Sequence, residues 1–208
     1  MVAQRTYVYI DGFNLYYRCL RKTPHKWLDL SRLCEHLLPP DKHQILKIKY
    51  FTARVQSRPY DVDAPTRQNA YLLALQSHIR HLEIIYGQFL SHPVRRPLAP
   101  PKSGMVDIIH TEEKGTDVNL AVHLLNDAWR DEYECGVVIS NDSDLAEAMR
   151  LAKDRNKIIG WLAPGGNCLS HTLKDIPHFI KIIRAKNLAA SQLPPVIPGT
   201  NIHKPEKW

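Results

Sequence analysis

Short apolar, β-rich runs alternate with segments of helical period along most of this chain, and that alternation restricts the fold more than any other property of the sequence. TYVYID (6–11) is the first such run, and GFNLYYRCLRK after it sets Phe13, Tyr16, Tyr17 and Leu20 at helical spacing. QILKIKYFTA (44–53) is the next strand, followed by a helix over 66–79 whose inner face would carry Ala70, Leu73, Ala74 and Ser77. LEIIYGQFL (82–90) reads as one strand and MVDIIHTEE (105–113) as another. TDVNLAVHLLNDAWR (116–130) is an amphipathic helix with Thr116 as its N-cap. CGVVIS, DLAEAMRLAKDR and KIIGWLA then follow as strand, helix and strand. Such an order folds as an α/β protein with a mainly parallel central sheet and helices on both faces, because a crossover helix is what returns the chain in the same direction.

Two stretches interrupt the pattern. SHPVRRPLAPPKSG (91–104) holds four prolines, which excludes it from the middle of a sheet and makes it an excursion or hairpin beside the strand that follows. LPPVIPGTNIHKPEKW (193–208) is Pro-rich and aperiodic, and reads as a mobile tail or an interaction segment. The resulting division is one domain over 1–184 and a Pro-rich C-terminal tail over 185–208.

The charge balance narrows the partners. A net charge of +7 and a pI near 9.2 favour a polyanion, since excess Lys and Arg bind phosphates and release counterions. Cys19, Cys34, Cys135 and Cys168 are widely spaced, without the paired spacing of a zinc site or the density of a disulfide framework, and fit a reducing cytosol. The N-terminus runs into a strand without a leader-like apolar region, and no apolar run is long enough to span a bilayer. These features describe a soluble, cytoplasmic protein without a membrane partner.

The chemistry concentrates in ISNDSDLAEA, where Asp142 and Asp144 flank one serine at the end of an apolar run. Asp11 ends the first strand and Asp117 opens the helix at 116–130. Each has an ordinary explanation taken singly: Asp117, Asp142 and Asp144 as helix-start residues and Asp11 as a turn residue. In an open parallel sheet, however, strand carboxyl ends gather on one edge, so all four would converge where α/β ligand sites form. Clustered carboxylates in a basic protein suit a hard divalent cation shared with substrate phosphates.

YVYIDGFNLYY, EEKGTDVNLAVHLLNDA and VVISNDSDLAEAMRLAKDRNKIIGWLAP resemble, in order and spacing, the signature blocks of the NYN domain, a branch of the PIN-like metal-dependent nucleases. The resemblance spans about residues 6–184. It implies a Rossmann-like PIN fold and Mg²⁺- or Mn²⁺-dependent cleavage of RNA, with Asp11, Asp117, Asp142 and Asp144 at the acidic positions and Asn14 and Ser140 at the polar supporting ones. Lys114, Gly115 and Thr116 also match the motif, whereas Asn141 stands where many relatives carry Gly.

On this reading Asp11 and Asp142 are the direct metal ligands, and Asp117 and Asp144 hold a second ion or metal-bound water. Asn14 orients substrate or water, and Ser140 fixes a carboxylate by hydrogen bonding. Lys114, Thr116, Arg54, Arg58, Arg67, Arg95, Arg96 and Lys102 are the candidates for contact with substrate, each weighed against an ordinary surface role. Glu112 and Glu113 are weighed as further members of the acidic cluster, and read first as a solvated strand-end pair. The histidines are scattered without the pairing that metal-free acid–base cleavage needs, and Phe13 breaks the DxD pattern of aspartyl phosphatases. The rival of another class is a catalytically weak or inactive RNA-binding or scaffolding protein, with partners recruited through the tail. RNA is the expected substrate; DNA, a homodimer and a toxin role stay open.

Overall fold

In the computed structural model, which describes residues 2–165 and 169–208, the chain alternates much as its pattern requires. It runs β1 (Gln4–Asp11), α1 (Gly12–Leu15) continued by a π-helical turn (Tyr16–Leu20), α2 (Leu30–Leu37), β2 (His43–Thr52), α3 (Ala64–His78), β3 (Leu82–Tyr86), β4 (Gln88–Pro97) and β5 (Met105–Lys114). α4 (Thr116–Trp129), β6 (Cys135–Ile139), a 3-10 turn (Ser143–Leu145), α5 (Ala146–Asp154), β7 (Ile158–Pro164), β8 (Phe179–Ile183) and α6 (Ala185–Ala190) complete it. Cys168 lies outside the described residues.

Six strands form one sheet in the order β3-β2-β1-β6-β7-β8, with every neighbouring pair parallel. From β1 the chain winds outward through β2 and β3, then returns to the other side of β1 as β6 and winds outward again. The carboxyl ends of β1 and β6 therefore flank a topological switch point, the place where α/β sheets open a crevice.

Residue alternation along β1 divides the core between the two faces of the sheet. Val8 and Ile10 pack with Leu15, Leu33 and Leu75, while Tyr7 and Tyr9 pack with Leu124, Met149 and Trp161. β6 is buried along its whole length, as a central parallel strand should be. Among the described residues no helix is long and apolar enough to cross a membrane.

Several boundaries and faces differ from the expectations. The run at 82–90 breaks at Gly87, so that β4 leaves the sheet and pairs antiparallel with β5 as a separate two-stranded arm. Gly87 permits this because a Cβ there would lie 2.7 Å from both Glu113 Oε1 and the Lys114 carbonyl. α3 buries Tyr71, Leu72, Ala74 and Leu75, whereas Leu73 and Ser77 face outward. The first helix buries Leu15, Cys19 and Leu20 and leaves Tyr16 and Tyr17 exposed.

Thr116 is the first residue of α4 and does not cap it. Gly115, at φ 91°, holds the capping position, and Glu113 accepts hydrogen bonds from the Thr116 N–H (3.0 Å) and hydroxyl (2.7 Å). α2 was not anticipated, although its signals are plain: Asp29 caps it through the Arg32 N–H, and Leu30, Leu33, Cys34 and Leu37 line one face. The Pro-rich terminal segment packs on the body. Leu193 and Ile197 are buried, Pro194 accepts from Trp27 Nε1 at 2.9 Å, and the Trp208 ring lies 5.5 Å from those of Trp27 and Tyr71.

Candidate active site

Ser140 joins the two sides of the switch point. It follows β6 and is fully buried; its hydroxyl donates to Asp11 Oδ2 at 2.9 Å and accepts the Asp142 N–H at 3.1 Å. Its own carbonyl is held by Trp161 Nε1, 2.6 Å away on β7. Asp11 closes β1 as the N-cap of α1, accepting the Asn14 N–H at 2.9 Å, and the Asn14 side-chain oxygen accepts the Asn141 N–H at 3.0 Å. The ends of β1 and β6 are thus stitched together by side chains as well as by the sheet.

The close approach at this end depends on Gly12. A Cβ there would meet the Tyr50 ring at 2.7 Å and the Phe51 carbonyl at 2.8 Å, so any larger residue would force β1 and β2 apart. Burial pushes the Asp11 carboxyl above the ordinary carboxylate range. The Asn14 N–H and Ser140 hydroxyl pull it back, and the charges of Asp142 and Glu113 push it further up. Tyr50 is raised by burial and then by the charge of Asp11. A half-buried carboxylate facing two others is an arrangement that a cation would relieve.

The remaining acidic residues are less converged. Asp142 caps the 3-10 turn through the Asp144 N–H at 3.1 Å, and the Asp144 side chain itself is exposed. Asp117 accepts the N–H of its neighbour Val118 at 2.8 Å, and α4 packs against the 3-10 turn that carries Asp144. Among the described residues no three Asp, Glu, His or Cys side chains come together as ligands of one ion. The four-carboxylate cage is therefore not formed. The structure brings together Asp11, Asn14, Ser140 and Asp142, with Glu113 near enough to be felt. Oxygen donors supplied by one or two carboxylates, with the rest left to water and substrate phosphate, are the usual Mg²⁺ arrangement, and the Asp11–Asp142 pair fits it.

Glu113 is the residue that sequence reasoning undervalued. It is no solvated strand-end carboxylate but the group that fixes the start of α4 beside Asp11. Its signal was the spacing ExxT across Gly115.

The basic candidates divide differently. Arg67 grips Asp61 with both oxygens at 2.6 and 2.7 Å, and so anchors the loop after β2 and does not offer a free guanidinium. Lys114 pairs with Glu112 at 3.0 Å, which lowers the Glu112 carboxyl, and Thr116 is buried. Arg95 and Arg96 project from the exposed β4 arm, Arg95 4.0 Å from Asp107. Arg54 lies over the Tyr86 ring at 4.9 Å.

With this geometry established, comparison with known proteins gives three findings. The NYN domain model matches residues 5–183. A curated Pseudomonas putida protein, 6-hydroxy-3-succinoylpyridine 3-monooxygenase HspA, is 36% identical over 234 aligned positions covering 98% of this chain and 75% of its own. A Vibrio parahaemolyticus protein titled as of unknown function shares the fold at a TM-score of 0.56 and 17% identity, over 92% of this chain and 97% of its own.

Proposed function

The chain belongs to the NYN domain family, and from that premise and the Asp11–Ser140–Asp142 cluster we propose that it is a divalent-metal-dependent nuclease acting on RNA. The observation that carries the reading is the buried Ser140 hydroxyl, which holds a carboxylate of raised pKa against the end of a neighbouring strand at the switch point. The N-cap of α1 alone could be Asn, Ser or Thr; it does not call for a second carboxylate, Asp142, whose charge bears on the first.

In this mechanism Asp11 and Asp142 hold Mg²⁺ or Mn²⁺, and Asp117, Asp144 and Glu113 add negative charge at the rim. The bound ion would supply an acidified water and positive charge at the scissile phosphate. Ser140 keeps Asp11 in one rotamer, and Asn14 fixes the backbone at Asn141 so that Asp142 faces the same crevice. Lys114 exchanges Glu112 for a substrate phosphate. DNA is a second substrate to be tested alongside.

The test is cleavage of end-labelled single-stranded RNA, structured RNA and DNA with Mg²⁺, Mn²⁺ or EDTA, beside Asp11→Asn and Asp142→Asn. Cutting that needs the ion and both carboxylates supports the proposal; cutting that survives either substitution or EDTA overturns it. RNA binding without cleavage by the unmodified protein would instead favour the binding or scaffolding role.

A second reading follows from one specific observation, the 36% identity across nearly the whole chain to a protein named for 3-monooxygenation of a succinoylpyridine. On that reading the chain hydroxylates a small heteroaromatic ring. Oxygen uptake with 6-hydroxy-3-succinoylpyridine and a nicotinamide or flavin reductant, with identification of the product, decides between the two.

A further inference from the structure

The sequence sets Phe13, Tyr16, Tyr17 and Leu20 at helical spacing, and the structure buries Leu20 but turns the two tyrosines to solvent. Tyr17 is 56% exposed, with the Arg21 guanidinium 5.5 Å from its ring centre. The same combination recurs twice. Tyr60, 79% exposed, accepts a hydrogen bond at its hydroxyl from the Arg58 guanidinium at 2.7 Å, and Tyr86, 38% exposed, lies under Arg54 at 4.9 Å. Leaving large rings in water forgoes their burial, and three exposed tyrosines each partnered by an arginine need a common explanation.

Their positions in the fold supply one. Tyr17 and Arg21 follow β1, Arg54, Arg58 and Tyr60 follow β2, and Tyr86 ends β3. All three pairs therefore lie where the chain leaves the carboxyl ends of three adjacent strands, β3, β2 and β1, and the first begins six residues after Asp11. The loop carrying Arg58 and Tyr60 is pinned by the Arg67–Asp61 pair and by the Arg58–Tyr60 hydrogen bond, which raises Arg58 most, with a smaller push from Tyr17.

We propose that these three arginine–tyrosine pairs form a stacking track for the unpaired bases of a single RNA strand, leading from the ends of β3 and β2 into the carboxylate crevice at β1. The rings offer faces on which any base can stack, and the guanidiniums beside them meet the phosphates between bases. The charge match is on the chain itself, whose net charge is +7. Bases inside a duplex are already stacked and do not reach such rings, so the track selects single strands and loops. This deepens the nuclease reading and rests on it for the direction in which the strand runs.

The experiment uses the full chain carrying Asp11→Asn, in EDTA, so that binding is read without cleavage. Fluorescence anisotropy measures affinity for labelled oligouridylate, oligoadenylate and the matching duplex at one fixed salt concentration. Tyr17→Ala and Tyr60→Ala should each weaken single-strand binding by about 5- to 100-fold, the range found for loss of one stacked base. Tyr17→Phe should keep the affinity, because stacking needs the ring and not the hydroxyl. Both positions are exposed, and circular dichroism verifies that the variants fold.

Alanine variants that bind like their parent, or a duplex bound as tightly as the single strand, would overturn the track. So would tyrosine-dependent binding of a free hydroxypyridine by a protein that ignores RNA, which would assign the rings to a small heteroaromatic ligand. If Tyr17→Ala loses RNA binding but the unmodified chain never cleaves, the track stands and the nuclease reading falls. Cleavage with unchanged binding in the alanine variants does the reverse.

Discussion

Ser140→Ala removes one hydroxyl and leaves two atoms short of a partner: Asp11 Oδ2, which accepts from it at 2.9 Å, and the Asp142 N–H, which donates to it at 3.1 Å. The Trp161 contact is to the main chain and survives. A hydrogen bond to a charged group contributes ~1.5–3 kcal/mol, and ~1.4 kcal/mol is a factor of ten in an equilibrium. Losing this donor disfavours the ionised carboxylate, in the same direction as the burial that already raises it. If ionised Asp11 holds the metal, kcat/KM on the acid limb of the pH profile should fall ~10- to 100-fold while the alkaline plateau changes little. The assay is Mn²⁺-dependent cleavage across pH for the parent and Ser140→Ala. A uniform loss at every pH, or an unchanged acid limb, would refute the reasoning. Carboxyl ¹³C NMR of Asp11 gives the same test without any substrate: its titration must move to higher pH in the variant.

Asp11→Asn should abolish cleavage yet raise stability. Because the folded carboxyl is harder to ionise than the unfolded one, its contribution is favourable only while protonated and is lost as pH rises through the folded value; urea unfolding without divalent ions should show the variant ahead at pH 7 and the difference closing below about pH 4. Asp127→Ala should cost ~3–5 kcal/mol, because Lys49 lies 2.6 Å from Asp127 with both side chains nearly excluded from water, and the double change Lys49→Met with Asp127→Leu should cost less than Asp127→Ala alone. Chemical denaturation of the two variants checks that order. Gly160→Ala should destabilise by ~1–3 kcal/mol, since a Cβ there would lie 2.2 Å from the Phe179 ring on the neighbouring strand; an unchanged thermal midpoint would show that β8 yields without cost.

The parallel sheet was legible because its central strands are buried on both faces, and CGVVI can hardly be anything else. Asp11 and Asp142 were legible for a related reason, as carboxylates at the ends of such runs. What local pattern could not give is competition between partners. Arg67 resembled a phosphate contact until Asp61 occupied it, and Glu113 resembled a solvated residue until Thr116 and Asp11 came within its reach. Aromatic spacing alone does not tell which face of a short helix meets the core. There, Leu15 and Cys19 won the inner positions. The proline-rich terminal segment lacked periodicity, yet its contacts come from single residues, Leu193, Ile197 and Trp208, which no period announces.

Ser140 reaches Asp11 across 129 residues of sequence. On the ribosome, β1 emerges with its aspartate long before β6 exists to receive it, and a one-residue slip between the two strands would turn the carboxylates to opposite faces. The crevice therefore works as a completion check: a nascent, truncated or misregistered chain carries every acidic residue it has made and forms no Asp11–Ser140–Asp142 cluster.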